Sequence, residues 1–304
     1  MDDQRVLVTG GAGFIGGALV DSLRGEADIR VLDIDPDPNP PSDIEVIKGD
    51  IRDPDTVTAA MDGVDTVFHQ AALVSVADSV DRPMASHTIN ATGTLEVLEA
   101  AREHDARVVV ASSAAVYGDP DDVPVTESAS LDPTSPYGVD KLAIDHYTRL
   151  YHELYGLETV ALRYFNVYGP GHTGGDYAGV IDAFTEQARG GEPITVHGDG
   201  EQTRDFVHID DVVRANRLAA TTDTVGVAYN IGTGVSVPIR SLAEKIRASV
   251  GSDSEIIHTD PREGDVRHSR ADISRARDRL GYEPTVDLDS GLDTLVNAAA
   301  TPPN

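Results

Sequence analysis

"VTGGAGFIG", Val8 to Gly16, is the stretch on which the reading of this chain turns. It follows a short apolar run, "RVLVTG" (Arg5–Gly10), and opens into a helical pattern over Phe14–Arg24. Gly11, Gly13 and Gly16 satisfy G-x-G-x-x-G, and Gly10, Gly13 and Gly16 satisfy G-x-x-G-x-x-G. Glycines so placed allow a tight turn and let backbone N–H groups approach a diphosphate at a helix N-terminus. Asp33 stands 20 residues beyond Gly13, at the end of the next apolar run. A carboxylate there is suited to gripping the adenosine ribose hydroxyls. No Arg or Lys lies between Val6 and Leu23 or between Val31 and Ile47. A 2′-phosphate would meet Asp33 without a cation, so NAD is expected rather than NADP. "GDIRD", after the third apolar run, puts Asp50 and Ile51 where an adenine would lie.

Outward from this loop the pattern repeats. Ile29–Asp35, Ile44–Asp50, Asp65–Ala71 and Arg107–Ser113 are further Val- and Ile-rich runs, and Glu158–Pro170 supplies another strand and a loop. Helical patterns cover Pro54–Met61 and Pro83–His104. Alternation of apolar strands with helices predicts an α/β fold, a Rossmann-type, doubly wound parallel sheet. The second half changes character. It reads as a loop at Gly171–Gly179, a helix at Val180–Arg189, a strand–turn–strand at Pro193–Asp211, a strand and turn at Ala228–Gly234, and helices near Ser241–Val250 and Ile273–Leu280. The expected division is a dinucleotide domain of residues 1–168 plus roughly 205–232. A smaller interwoven lobe of roughly 169–204 and 233–304 would close over the strand ends.

Composition bounds the class. The chain has 304 residues, 40% of them hydrophobic, and no cysteine, so disulfides and thiolate metal sites are excluded. No run approaches the ~20 apolar residues that span a bilayer, and the N-terminus enters a strand directly. A soluble cytoplasmic protein without a signal peptide or membrane partner is expected. Asp and Glu total 52 against 24 Lys and Arg, a net charge of −28, and only Lys48, Lys141 and Lys245 are lysines. Acid spread over the whole chain, without a basic stripe, argues against nucleic-acid binding. It favours a surface adapted to high salt, where repulsion is screened to a Debye length of ~3 Å at 1 M; an acidic interaction surface is the alternative. The ten histidines show no H-E-x-x-H or comparable spacing, so no metal site is expected.

"SPYGVDK", Ser135–Lys141, carries the chemistry. Ser135 is a capping residue and Pro136 suits the first helical position, which sets Tyr137 and Lys141 on one helix face. Y-x-x-x-K alone is a common helical spacing. Beside a dinucleotide loop, however, Tyr137 becomes a candidate base. The Lys141 ammonium, the helix N-terminus and a cationic nicotinamide are each expected to lower the phenol from its usual value of ~10. Ser113, in "VVVASSAAVYG", adds a hydroxyl for the reacting oxygen.

With these residues the chain resembles the extended short-chain dehydrogenase/reductase family, and particularly its nucleotide-sugar epimerases. The likeness runs through "VTGGAGFIG", "GDIRD", "HQAA", "ASSAAVYG", "YGVDK", "LRYFNVYGP", "GDGEQTRDFVHIDD", "YNIGTG" and "PREGDVRHSRADISRAR", in the family's order. It implies a catalytic triad of Ser113, Tyr137 and Lys141. For the cofactor it implies Gly10, Gly13, Phe14, Ile15, Gly16, Asp33, Asp50, Ile51, Ala71 and Asn90, with Tyr137 and Lys141. For a UDP-sugar substrate it implies Ser75, Ser113, Asn166, Arg204 and Arg262 (the two arginines on the diphosphate), Asp265 on the ribose, and Ser269. In the implied chemistry Tyr137 takes the proton of the sugar 4-hydroxyl, a 4-keto sugar forms and turns over, and the C4 epimer results. The family's 4,6-dehydratases have an Asp-Glu pair, and its decarboxylases a glutamate, where this chain has Ala114 and Ala115. Ser269 stands where a pocket-closing tyrosine is found in epimerases restricted to unsubstituted hexoses. A small residue there suggests room for a 2-acetamido group unless a neighbour fills it. Alternatives within the likeness are a UDP-glucuronate 4-epimerase and a net oxidoreductase; outside it stands a non-catalytic NAD-binding regulator. Family members commonly pair through two long helices, so a homodimer through Pro83–His104 and Tyr137–Tyr155 is expected.

Overall fold

A computed structural model describes residues 4–172, 179–262 and 264–298. Most of the loop expected at Gly171–Gly179, residues 173–178, lies outside the described residues. The first half runs β1 (Arg5–Thr9), α1 (Phe14–Leu23), β2 (Asp28–Asp33), β3 (Ile44–Lys48), α2 (Pro54–Met61), β4 (Thr66–His69), α3 (Val76–Asp81), α4 (Pro83–His87), α5 (Gly93–His104), β5 (Arg107–Ser113), α6 (Pro136–Tyr155) and β6 (Thr159–Tyr164). There follow β7 (Asn166–Tyr168), α7 (Val180–Gly190), β8 (Ile194–His197), β9 (Thr203–Arg204), β10 (Phe206–His208), α8 (Ile209–Thr221) and β11 (Val227–Ile231). The chain continues through β12 (Val237–Pro238), α9 (Ile239–Val250), β13 (Ile256–Thr259), α10 (Ser274–Leu280) and α11 (Leu288–Ala298).

Seven parallel strands form one sheet in the order β3-β2-β1-β4-β5-β6-β11. The order reverses between β1 and β4, the crevice where such sheets hold ligands. Successive residues of a strand face opposite sides of a sheet. Val6 and Val8 therefore join the core beneath α1, α8 and α10, while Leu7 joins the core beneath α2, α5 and α6. A third core lies away from the sheet and is built from Ile181 and Phe184 of α7, Ile194 and Val196 of β8, Leu242 and Ile246 of α9, and Leu292 of α11. Ala271, Ile273, Ala276, Leu280 and Tyr282 pack instead into the sheet's own core, so the late chain returns to the first layer.

Three local expectations need correction. The helix expected over Pro83–His104 is broken into α4 and α5 by a π-helical segment, Thr88–Thr92. The segment Pro193–Asp211 ends by entering α8. The buried residues of α8 are Ile209, Asp211, Val212, Val213, Ala215, Asn216, Ala219 and Ala220, an apolar face interrupted by two polar side chains. The short helix α3 and the strand β13 were not anticipated.

Candidate active site

The dinucleotide loop is held by main chain. Gly10 N–H donates to Leu32 O at 2.8 Å, tying the end of β1 to β2, and Gly13 N–H donates to Gly10 O at 3.0 Å. Gly13 caps α1 without any side-chain hydrogen bond, so the first helical amides are left for a ligand. A Cβ on Gly16 would lie 2.0 Å from Gly10 O, so the fold itself demands glycine there. Gly13 differs. Its φ is −79°, open to any residue, and a Cβ would meet only Gly10 O, at 3.2 Å. Glycine at 13 leaves a cradle for something other than protein, which fits a dinucleotide diphosphate. Gly13→Ala is accordingly expected to be purified with little NAD and, with both proteins compared free of cofactor, to melt close to the parent. Gly16→Ala is expected to lose both cofactor and about 1–3 kcal/mol of stability. Cofactor released by acid and a melting curve test the pair; full NAD content in Gly13→Ala would remove the cradle reading.

Asp33, at the end of β2, accepts from Ala12 N–H at 3.0 Å and Asp35 N–H at 2.9 Å, which fixes its carboxylate beside the loop. These groups open on a cleft of about 830 Å³ at the switch point. Its lining includes Gly10, Gly13, Phe14, Ile15, Gly16, Asp33, Asp50, Ile51, Ala71, Ser113, Tyr137 and Lys141. Of the residues expected at the cofactor, Asn90 alone stands behind this wall. It sits buried in the π segment, takes Leu73 N–H on Oδ1 at 2.8 Å and donates Nδ2–H to Leu73 O at 3.0 Å. Leu73 lines the cleft, so Asn90 acts on the wall from behind.

His69 works similarly. Its Nε2 lies 2.9 Å from Thr94 Oγ1, whose own proton goes to Asn90 O at 2.6 Å, so Nε2 is the donor. Nδ1 then accepts from Thr9 Oγ1 at 2.7 Å. Burial, with the nearby Lys141 charge, pushes this ring down to about 3, so it is neutral and no metal ligand is needed to explain it. Among the described residues, no group of three or more His, Cys, Asp or Glu is arranged to hold a metal.

The triad residues come from two elements, β5, which ends at the cleft, and α6, which starts there. Ser113 ends β5 and accepts Ala115 N–H at 3.1 Å, which leaves its hydroxyl proton free to donate. Tyr137 lies in the first turn of α6, which begins as expected with a Ser135 cap (Gly138 N–H to Ser135 Oγ, 3.1 Å) and Pro136. Ser79 of α3 takes the Tyr137 N–H at 3.1 Å. Lys141 is buried, donates to Ala111 O at 2.7 Å, and keeps two further donors for the cleft. Its Nζ lies 5.7 Å from the centre of the Tyr137 ring. The expectation that Lys141 and the helix end lower the phenol is corrected. Burial raises Tyr137, and only the Ser113 hydroxyl draws it back. Burial also lowers Lys141, to about 8, with Asp140 opposing.

Of the residues expected at the substrate, Ser113 lines the cleft, while Arg204, Arg262, Asp265 and Ser269 lie near one another outside its lining. Arg204 pairs with Asp265, and Ser269 N–H donates to Thr203 O at 3.1 Å next door. Asn166 follows Phe165 of the cleft wall and holds Asp205 O through its main chain at 3.0 Å and its side chain at 3.1 Å. Asp205 is fully buried and its carboxylate gathers Thr233 and Gly234 of the "YNIGTG" turn with Ala271. Arg262 is exposed, and Ser75 caps α3 by accepting Asp78 N–H at 3.0 Å. Sequence reasoning missed Gln70, Tyr164 and His172, which also line the cleft. Gln70 and Tyr164 close a buried triangle with Asn216 of α8 (Gln70 Nε2 to Asn216 Oδ1, 3.2 Å; Tyr164 Oη to Asn216 Oδ1, 3.0 Å).

Residues 6–232 match the model of the NAD dependent epimerase/dehydratase family. The chain belongs to that family. A UDP-glucose 4-epimerase of Mycolicibacterium smegmatis is 38% identical over 306 residues, covering 96% of this chain and 97% of the relative. Among solved structures, the UDP-N-acetylglucosamine 4-epimerase of Methanobrevibacter ruminantium, in complex with UDP-N-acetylmuramic acid, superposes with a TM-score of 0.94 at 36% identity, covering 99% of each chain. The UDP-glucose 4-epimerase of Thermus thermophilus in complex with NAD gives 0.90 at 34% identity, covering 98% of this chain and all of that one. Like the rest of the family, this epimerase/dehydratase chain is NAD-dependent, and its glycine loop, Asp33 and cleft suit that cofactor.

Proposed function

We propose that this chain is a UDP-hexose 4-epimerase that uses NAD held in the cleft and works through a transient 4-keto sugar. One observation carries the choice within the family. Ser113, Tyr137 and Lys141 meet at the cleft, and the carboxylates of its lining, Asp33, Asp35 and Asp50, belong to the ends of β2 and β3. Ala114 and Ala115 follow Ser113 directly. Among the described residues, the reacting end of the cleft thus offers the Tyr137 phenol beside Ser113 and Lys141 and no carboxylate for elimination or decarboxylation, which suits epimerisation.

The side chains divide the work. Tyr137 takes the 4-hydroxyl proton and gives it back to the same oxygen after the sugar turns. Ser113, whose hydroxyl hydrogen-bonds Tyr137, donates a hydrogen bond to the sugar oxygen in both steps. Lys141 holds the cofactor ribose and offsets the phenolate. When bound, NAD⁺ would supply a hydride acceptor for C4 and the hydride for its opposite face, and its positive charge would favour ionisation of the buried phenol. Gly10, Gly13, Phe14, Ile15 and Gly16 would hold the diphosphate, Asp33 the ribose, and Asp50, Ile51 and Ala71 the adenine and nicotinamide flanks, with Asn90 supporting the wall. Arg204, Arg262, Asn166, Asp265, Ser75 and Ser269 are assigned to the UDP-sugar. Two lobes are proposed near the expected boundaries, with the segment around 271–282 reaching back to the sheet.

Purified protein in high KCl without added NAD tests the reading, with UDP-glucose and UDP-N-acetylglucosamine offered separately and C4 epimers followed by NMR. Conversion of both is expected, and Ser269→Tyr is expected to lose the acetamido sugar at least about tenfold relative to UDP-glucose. Conversion of neither by folded, NAD-loaded protein would overturn the assignment.

A homodimer is proposed through α6 and the α4–α5 stretch. Its support is an exposed apolar face of Met84 on α4 with Val139, Tyr147, Leu150, Leu154 and Tyr155 on α6. The net charge of −28 supports a surface adapted to molar salt. A cytoplasmic location is proposed with it; among the described residues no helix is long and apolar enough to cross a membrane.

A further inference from the structure

We propose that Asp140 is a positioning residue of the reaction, a buried carboxylate that keeps the neighbouring Lys141 ammonium charged and locks α6 to the cleft wall. The proposal deepens the epimerase reading and rests on it for its kinetic consequence.

Asp140 is 3% exposed. Its Oδ2 accepts from Ser86 Oγ at 2.6 Å, and its Oδ1 lies 2.9 Å from His87 Nδ1. Ser86 is itself fully buried and receives Asn90 Nδ2–H at 3.3 Å, so its own proton points to Asp140. Asn90 in turn clamps both backbone groups of Leu73. A continuous run of side chains, Asp140–Ser86–Asn90, thus joins the helix that carries Tyr137 and Lys141 to the loop that lines the cleft. The mechanism derived above makes no use of it.

The surroundings of Lys141 show why a charge is needed there. From β5 it meets the neutral Ala111 carbonyl, and from β4 the neutral His69. On α6 it has Tyr137, Asp140 and, one turn on, Asp145. The Asp145 carboxylate is bound by Arg163 of β6 and by Arg149. Asp78 of α3 pairs with Arg82, Glu99 of α5 with Arg102 and Tyr151, and His87 of α4 faces Asp140 itself. Asp140 is the acid that opposes the effect of burial on the lysine. A lysine brought down to about 8 is charged at neutral pH and loses its proton as pH rises through that value. Loss of the Asp140 charge moves this point lower, so the alkaline limb of turnover moves toward neutrality.

The scarcity of lysine makes the test direct. With only Lys48, Lys141 and Lys245 in the chain, [ε-13C]lysine labelling yields three side-chain signals. The NAD-loaded protein, Asp140→Asn, Asp140→Ser and Ser86→Ala are titrated side by side. In both Asp140 variants the Lys141 signal is expected to titrate about one pH unit lower, a tenfold change in its proton affinity. Lys48 and Lys245 should stay in place, and the alkaline limb of kcat should move with Lys141. Ser86→Ala, which keeps the charge, should leave Lys141 where it is. An unmoved Lys141 in both Asp140 variants overturns the proposal, as does an equal shift in Ser86→Ala. A shifted Lys141 in protein that turns over no UDP-sugar would support the charge role while removing the epimerase reading.

Discussion

Tyr137→Phe lowers kcat for UDP-glucose by about 10²–10⁴-fold, the usual contribution of a positioned acid–base group, equivalent to about 3–5.5 kcal/mol of transition-state stabilisation. The ring stays and only the oxygen is removed. Its packing at the start of α6 and the cap that Ser79 gives its N–H are untouched, so fold and bound NAD are expected to survive. Ser113 is no substitute, because its hydroxyl is placed to donate to the sugar oxygen and already accepts Ala115 N–H. Lys141 is no substitute either, since its amine is tied to Ala111 O. Single-turnover and steady-state rates, with NAD stoichiometry measured on the same sample, check this. A loss below tenfold would take the phenol out of the proton transfer.

Asp145→Ala has the largest expected effect on stability, a loss of about 3–5 kcal/mol, the usual cost of leaving one half of a buried ion pair behind. Arg163 is 2% exposed and Asp145 fully buried. The guanidinium binds the carboxylate through two hydrogen bonds, Nε to Oδ2 at 2.8 Å and Nη2 to Oδ1 at 2.9 Å. Its remaining nitrogen reaches Tyr117 Oη at 2.8 Å and Glu127 O at 3.2 Å. Tyr117 Oη in turn donates to Asn230 Oδ1 at 2.6 Å. The network therefore joins β5, α6, β6 and β11 directly behind Ser113 and Lys141. Burial pushes the Asp145 carboxyl up, but hydrogen bonding and charge from Arg163, with Arg149 and Ser112, outweigh it and hold it below the ordinary range. A depressed carboxyl stabilises the fold above the unfolded-state value of ~4 and loses that contribution as pH falls through the folded value. The variant should therefore be weaker at neutral pH and lack this part of the acid sensitivity. Against a whole-domain stability of about 5–15 kcal/mol, denaturant midpoints in high KCl will register the loss. A change under about 1 kcal/mol would mean that Arg163 finds another partner.

What the amino-acid order made legible follows from how local each signal is. The glycine loop, Asp33 and the Ser135–Pro136 helix start are each written within a few residues, and they stand where the pattern places them. The π segment is not local in this sense. Its purpose is to aim Asn90 at Leu73 and Ser86, and nothing in the periodicity of Pro83–His104 announces it. Helix α8 was hidden because its inward face carries two polar side chains, Asp211 and Asn216, and the Asn216 partners Gln70 and Tyr164 lie 146 and 52 residues away. The Tyr137 error has the same origin. Charges on its own helix could be counted from the chain, whereas the burial that dominates comes from segments brought in by the fold. Among the residues expected at the substrate, Arg204 and Asp265 come together although 61 positions separate them. The family's order of motifs put both at the substrate, but their pairing with each other was not anticipated.

The glycine loop grips with main chain alone. Between Val6 and Leu23 it uses no cationic side chain, and α1 starts without a side-chain cap. Short hydrogen bonds from fixed amides are screened by salt far less than attraction between separated charges. The exterior of such a protein is therefore free to drift in evolution. Surface charge, −28 over this chain, can change without weakening a hold on the dinucleotide made by main-chain amides.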